Sequence, residues 1–299
     1  MIKVGLVDFD TSHVVAFTQR LNHIDIDEEQ WVEGAKVIIG CPGESKISPE
    51  RIPGFTEKLK EYGVELVDKP EEMIGKIDAV MVESVDGSVH YERALPFIEA
   101  GIPTFIDKPF TCSLDEAKKL AELASEKGVP LFSSSSLRYA LEVQEVKAER
   151  EEYGDVVGVD AYSPAPQHPR NPGLFHYGIH GVETLYALMG PGCEYVTCIS
   201  DEGTDVVVGH WEDGKVGTVR GIRKGASGYG FSAFCQNRIL HSQINTAYIY
   251  RELLKRVVEM FQTGKPPIDI SESLEIVAFI EAALKSSQKG GEPVKLEIR

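Results

Sequence analysis

Three segments of this sequence hold residue types that do chemistry when brought together. His176, His180 and Glu183 are spaced as H-x3-H-x2-E. On a helix, positions i, i+4 and i+7 share one face, which is how zinc ligands are often presented, and His168 stands near enough in sequence to add a fourth. The bland alternative makes His180 a helix-start histidine satisfied by a backbone carbonyl. Asp107-Lys108-Pro109 places an ammonium at the end of an apolar run, where Pro109 forces an extended exit. Such an ammonium steadies developing alkoxide charge and takes part in proton relay, or it merely pairs with Asp107. The third segment is Asp8-Phe9-Asp10-Thr11-Ser12-His13, directly after the first apolar run. Thr11 and Ser12 there either cap a helix and donate hydroxyls to a phosphate, or serve as caps only.

The elements that must position these groups change character along the chain. Lys3–Val7, Val37–Cys41, Val64–Val67, Ala79–Val82, Thr104–Ile106 and Leu131–Ser133 read as strands, nearly continuous in apolar residues as buried parallel strands are. Helical patterns lie between them, among them Ser88–Ala100 and a helix opened by the capping box Ser113-Leu114-Asp115-Glu116. Strand and helix alternating in this way make an α/β domain with a doubly wound parallel sheet. From Val156 onward strands follow one another without helices, with Asp213-Gly214 as a hairpin signal, so a mostly antiparallel sheet is expected. Two helices, Ala247–Gln262 and Ser271–Ser287, and a last strand, Val294–Ile298, complete an α+β domain. The reading divides the chain into 1–138 and 139–299.

Composition narrows the function. The 299 residues carry a net charge of −16, which repels phosphate backbones and argues against nucleic acid as a partner. No apolar run approaches the ~20 residues that span a bilayer, so no membrane association is expected. The stretch MIKVGLVDFD has acids where a signal peptide needs apolar residues, and the five cysteines include no CxxC pair. A cytoplasmic protein with reduced thiols is the expectation.

Several of these segments resemble the Gfo/Idh/MocA family of nicotinamide-dependent sugar and cyclitol oxidoreductases. His90–Phe110, HYERALPFIEAGIPTFIDKPF, is similar to the family's stretch from a histidine-led helix to its Glu-Lys-Pro motif, here Asp107-Lys108-Pro109. Leu131–Arg138 resembles the segment that follows, ending in an arginine near the domain junction. His176-Tyr177-Gly178-Ile179-His180 is similar to the family's Asp-x-Gly-x-His, with His176 in place of the aspartate. The tail around Tyr250–Ser287, with its Thr-Gly-Lys-Pro-Pro, also matches. The resemblance implies a Rossmann domain binding NAD or NADP, NAD slightly preferred, and a second domain for substrate and assembly. It implies Lys108 and His180 as catalytic groups on a polyol or sugar-like substrate, with His176 beside them, and a homodimer or homotetramer.

The resemblance breaks at the first turn. A dinucleotide fold needs glycines there, because the backbone must approach a pyrophosphate closely at a helix N-terminus. The three glycine positions fall on Asp8, Asp10 and His13. Two carboxylates facing a pyrophosphate repel it, so the cofactor sits differently, has been lost, or these acids point away. Cofactor contacts are expected from Phe9, Asp10, Thr11, Ser12, Ser84, His90, Asp107 and Lys108. After the second strand, Glu44 suits the ribose hydroxyls of NAD, while Lys46 suits a 2′-phosphate. The loop Ser84–Asp86 and His90 face the crevice at the strand ends, or Ser88 simply caps the helix and His90 packs. Two further functions stand beside the oxidoreductase: a ligand-binding protein without hydride transfer, and metal-assisted lyase or hydrolase chemistry at His176, His180 and Glu183.

Overall fold

The structure is a computed structural model and describes residues 1–298. The chain forms two compact units. In the first, β1 (Ile2–Val7), β2 (Ala35–Cys41), β3 (Glu65–Leu66), β4 (Ala79–Val82), β5 (Thr104–Asp107) and β6 (Leu131–Ser134) make one sheet in the order β3-β2-β1-β4-β5-β6. Every pairing in it is parallel. β4, β5 and β6 are buried along their whole length, and β4, Ala-Val-Met-Val, is accordingly apolar throughout. The connecting helices are α1 (His13–Asn22), α2 (Ile52–Glu61), α3 (His90–Glu99) and α4 (Leu114–Lys127). Strand order reverses between β1 and β4, so loops leaving their carboxyl ends diverge and open a crevice there.

The second unit adds α5 (Leu141–Ala148), α6 (Arg150–Tyr153), β7 (Val156–Pro164), α7 (Ile179–Met189), β8 (Cys193–Asp201), β9 (Thr204–Trp211), β10 (Val216–Ile222), β11 (Gly230–Cys235) and β12 (Ile239–Gln243). After α8 (Ile249–Thr263) and α9 (Ile270–Gln288), the short β13 (Val294–Lys295) ends the described elements. The sheet runs β12-β11-β7-β10-β9-β8-β13. It is antiparallel apart from β7 and β10, which pair in parallel. All eleven residues of α7 are buried, against the sheet: a Cβ on Gly181 would come 3.0 Å from Ser163 Oγ, and one on Gly217 would come 2.7 Å from Leu185.

A single division at 138 does not describe these units. The first unit gathers Met1–Thr111, Asp115–Ser134 and Tyr250–Ile270; the second gathers Cys112–Leu114, Ser135–Ile249 and the chain from Ser271 onward. The physical reason is α8, whose amphipathic face packs on the first unit. Its Tyr250 ring lies edge-on to Phe17 at 5.5 Å, and Arg251 donates to the Glu29 carbonyl at 3.0 Å. Among the described residues no helix is long and apolar enough to cross a membrane.

Candidate functional site

The crevice turn of the first unit begins at Asp8, whose φ of +63° lies in the left-handed region that aspartate tolerates better than most residues. The amides of Asp8 and Phe9 extend the pairing with β2, donating to the carbonyls of Cys41 at 3.0 Å and Pro42 at 2.9 Å. Both carboxylates of the turn face protein donors. Asp8 Oδ2 accepts from Ser84 Oγ at 2.5 Å and from Arg93 Nε at 2.9 Å. Asp10 Oδ2 accepts from Ser45 Oγ at 2.6 Å, and its Oδ1 accepts from the Val85 amide at 3.0 Å. Burial pushes the Asp8 carboxyl above its ordinary range, and Arg93 and Ser84 offset only part of that. Thr11 Oγ1 accepts from the His13 amide at 3.3 Å, so Thr11 supplies the helix-start cap. Ser12 makes no side-chain cap.

Three of the residues expected to contact a cofactor are packed within the fold. Phe9 is fully buried, and Gly40 is the residue that makes room for its ring: a Cβ there would stand 2.5 Å from Phe9 Cζ. Ser84 is buried and bound to Asp8. His90 is buried with Nδ1 at 2.7 Å from the Pro109 carbonyl and Nε2 at 2.8 Å from that of Ser84, so it ties the loop after β4 to the loop after β5. The helix-start cap expected of Ser88 comes from Asp86, which accepts from the Ser88 amide at 3.0 Å. Glu44 and Lys46 are exposed.

Deeper in the same crevice, the ends of β1, β4 and β5 bring ionisable groups together. His13 Nδ1 lies 2.9 Å from Asp107 Oδ2 and 3.7 Å from Glu83 Oε2. Its ring is fixed by stacking on Phe17 and by the edge of Tyr250, each at 4.9 Å between centroids. Lys108 Nζ lies 3.1 Å from the same Asp107 oxygen. Glu83 is fully buried, and neither of its carboxylate oxygens has a hydrogen-bond partner among the described residues. Burial, then the charge of Asp107, push the Glu83 carboxyl well above the usual range. Against the cost of its own burial, Asp107 is held well below that range by His13 and Lys108.

In the second unit, His180 sits in the first turn of α7. Ser135 Oγ accepts from the Leu137 amide at 3.1 Å and lies 2.6 Å from His180 Nδ1. The tautomer of the ring decides whether Ser135 donates to Nδ1, which leaves the ring proton on Nε2, or accepts from it. Tyr177 and Tyr229 present their edges to the ring at 5.8 Å and 5.5 Å. His176 is not on the helix. Tyr177, at φ +59°, turns the chain before α7 begins, and His176 is extended. It lies instead beside His168, 5.4 Å between centroids, and Asn171. Glu183 is spent elsewhere: Arg138 Nε donates to it at 2.7 Å, and Arg138 Nη1 reaches Glu272 Oε1 at 2.6 Å. Burial raises the Glu183 carboxyl, with Arg138 offsetting part of it. The H-x3-H-x2-E residues therefore do not share one helix face. Among the described residues, the group of His, Cys and acidic side chains close enough to share an ion is His13, Glu83 and Asp107.

Sequence reasoning passed over Glu83, Arg93 and Ser135. An acid directly after a wholly apolar strand is the available sign for Glu83. Arg93 stands 85 positions from its partner Asp8 and carries no local sign.

Residues 46–135 match the profile of the Gfo/Idh/MocA oxidoreductase family, NAD-binding Rossmann fold. A 1,5-anhydro-D-fructose reductase of Ensifer adhaerens is 31% identical over 113 residues, 37% of this chain and 34% of that protein. The match spans about a third of the length of the curated relatives. A protein from Thermotoga maritima described as a probable dehydrogenase shares the fold at a TM-score of 0.81, with 20% identity over 99% of both chains. Scyllo-inositol dehydrogenase from Lactobacillus casei, with bound NAD(H) and scyllo-inositol, does so at 0.77, with 17% identity over 99% of both chains. The likeness to the Gfo/Idh/MocA oxidoreductase family is thus carried by residues 46–135.

The family's cofactor can be tested against the turn. A pyrophosphate needs close backbone approach and available amides. Here buried side chains stand at all three glycine positions, and the amides of Asp8 and Phe9 are taken. Asp10 adds a carboxylate whose donors, Ser45 and the Val85 amide, are neutral. This turn does not fit a pyrophosphate in the usual way, and the family match begins downstream of it, at residue 46.

Proposed function

We propose that this chain is an oxidoreductase of the Gfo/Idh/MocA family, acting on the carbinol or carbonyl carbon of a sugar- or cyclitol-like small molecule. The observation that carries this reading is the Asp107–Lys108 pair at the end of β5, inside the segment that matches the family. Lys108, steadied by its carboxylate neighbour, presents an ammonium to an oxygen that gains negative charge. His180, with Ser135 donating to Nδ1, would present an N–H at Nε2 for exchange with a substrate oxygen; the Ser135 contact at 2.6 Å supports this reading. His176 supplies a hydrogen bond to a hydroxyl. The proposal includes NAD as the preferred dinucleotide, on the acid Glu44 after β2, and a homodimer or homotetramer in the cytoplasm.

The filled turn favours a second reading, in which the chain binds a small ligand and has given up hydride transfer. Calorimetry with NAD(H) and NADP(H) separates the two. Micromolar binding of either supports the oxidoreductase; no binding at millimolar concentration supports the second reading. If turnover is found, Lys108→Ala or His180→Ala should lower it by roughly 10²–10⁴-fold, the contribution of a positioned proton-transfer group. Unchanged turnover in both folded variants would remove these residues from the active site.

A further inference from the structure

We propose that His13, Glu83 and Asp107 form a site for a divalent first-row transition-metal ion at the carboxyl ends of β1, β4 and β5. The inference goes beyond the polyol reading and is tested separately from it.

The three strands are neighbours in the sheet, and each delivers one ligand where it ends. His13 is the first residue of α1, Glu83 the first after β4, and Asp107 the last of β5. One ligand atom from each lies within 4.8 Å of the other two. Metal–ligand bonds of about 2.0–2.2 Å place neighbouring ligand atoms roughly 3 Å apart. The His13–Asp107 separation of 2.9 Å and the His13–Glu83 separation of 3.7 Å already straddle that spacing. Little movement is needed to close on an ion.

An independent observation is the state of Glu83. It is 0% exposed, both of its oxygens lack a hydrogen-bond partner among the described residues, and it is aimed at His13. A buried acid without partners is rare in folded proteins and is explained when an unseen cation completes it. The carboxylate–imidazole donor set suits borderline ions such as Mn²⁺, Fe²⁺ and Zn²⁺ more than soft ones. In the ligand-competent state, with both acids ionised and His13 neutral, the two carboxylates and the Lys108 ammonium leave one net negative charge, so a divalent cation is electrostatically acceptable. The ring of His13 is clamped by Phe17 and Tyr250, and its side chain is 10% exposed, which gives the ion an entrance.

The test uses the full chain, stripped with chelator and titrated with Mn²⁺ and Zn²⁺ alone. One ion per chain should bind, with a rise in melting temperature, and Co²⁺ should give d–d bands of a nitrogen-and-oxygen site. Glu83→Gln keeps the shape and should weaken binding at least about 10-fold, while its ion-free form melts no lower than the parent. That last reading separates a lost ligand from a lost fold. The proposal is overturned if no ion is taken up at sub-millimolar concentration, or if folded Glu83→Gln binds as the parent does. Nicotinamide calorimetry does not enter either outcome.

Discussion

Arg93 donates from Nε to Oδ2 of Asp8 at 2.9 Å, so a cation from α3 rests on the acid that occupies the first glycine position of a dinucleotide turn. The repulsion expected between this acid and a phosphate is thus answered within the protein. The turn is built as a closed polar lock, with Asp8 on Ser84 and Arg93 and Asp10 on Ser45 and the Val85 amide.

Restoring glycine should therefore not restore a cradle. Asp8→Gly relieves a left-handed residue but leaves Arg93 and Ser84 without their acceptor. We expect a net loss of about 1–3 kcal/mol in denaturant unfolding, and no tightening of NAD(H) binding for Asp8→Gly with Asp10→Gly. Tighter binding in that double variant would mean that the carboxylates do face the cofactor.

Arg138 is the buried cation of the second unit, shared by Glu183 and Glu272. Arg138→Ala should cost about 3–5 kcal/mol at neutral pH, because it leaves uncompensated buried carboxylates. The sign with pH follows from Glu183, whose carboxyl burial already raises and which loses its offsetting charge. Stability of the variant should be greatest below the ordinary glutamate value near 4.3 and fall as pH rises through the raised one. Urea melts at a series of pH values check this; a variant that gains stability from acid to neutral pH refutes it.

Thiol chemistry should single out one cysteine. Burial pushes Cys193 and Cys198 up to about 12, so on the order of 10⁻⁴ of either is thiolate at pH 8. Cys112 is only half-buried. Brief treatment of the native protein with iodoacetamide should label Cys112 first, as peptide masses will report. Equal labelling of Cys193 would show that this part of the second unit opens readily.

Assembly is open to a direct measurement. The strands of the second sheet leave Ile199 71%, Val216 42% and Ile239 57% exposed, apolar area that association would cover. Light scattering should give two or four times the 33.0 kDa of one chain. A single-chain mass refutes the homo-oligomer.

The sequence made some of this legible and hid the rest for physical reasons. β4 announced itself because a strand buried on both faces is apolar throughout, and β5 and β6 did so through the apolar pairs Phe105-Ile106 and Leu131-Phe132. α7 did not, since a helix buried on every side has no polar stripe to give its period away. The parallel pairing of β7 with β10 is a matter of topology, and nothing local in either strand encodes it. At the first turn, the departure from glycine was visible, but the direction of the carboxylates depended on Arg93 and Val85, far along the chain. His176 lies three residues before α7, because Tyr177 in a left-handed conformation breaks the helical spacing.

Because Tyr250 closes the aromatic cluster over His13 and Phe17, a ribosome that has made residues 1–138 has not yet made a finished nucleotide-type domain. The last helix of that domain arrives only after the whole β7–β12 sheet has been synthesised. Gene fragments cut at the apparent junction would release a first half with the flank of Gly34 uncovered, where Gln262 and Val258 now rest. The first unit is thus closed by a helix from far along the chain, so a cut at residue 138 cannot free it with its core intact.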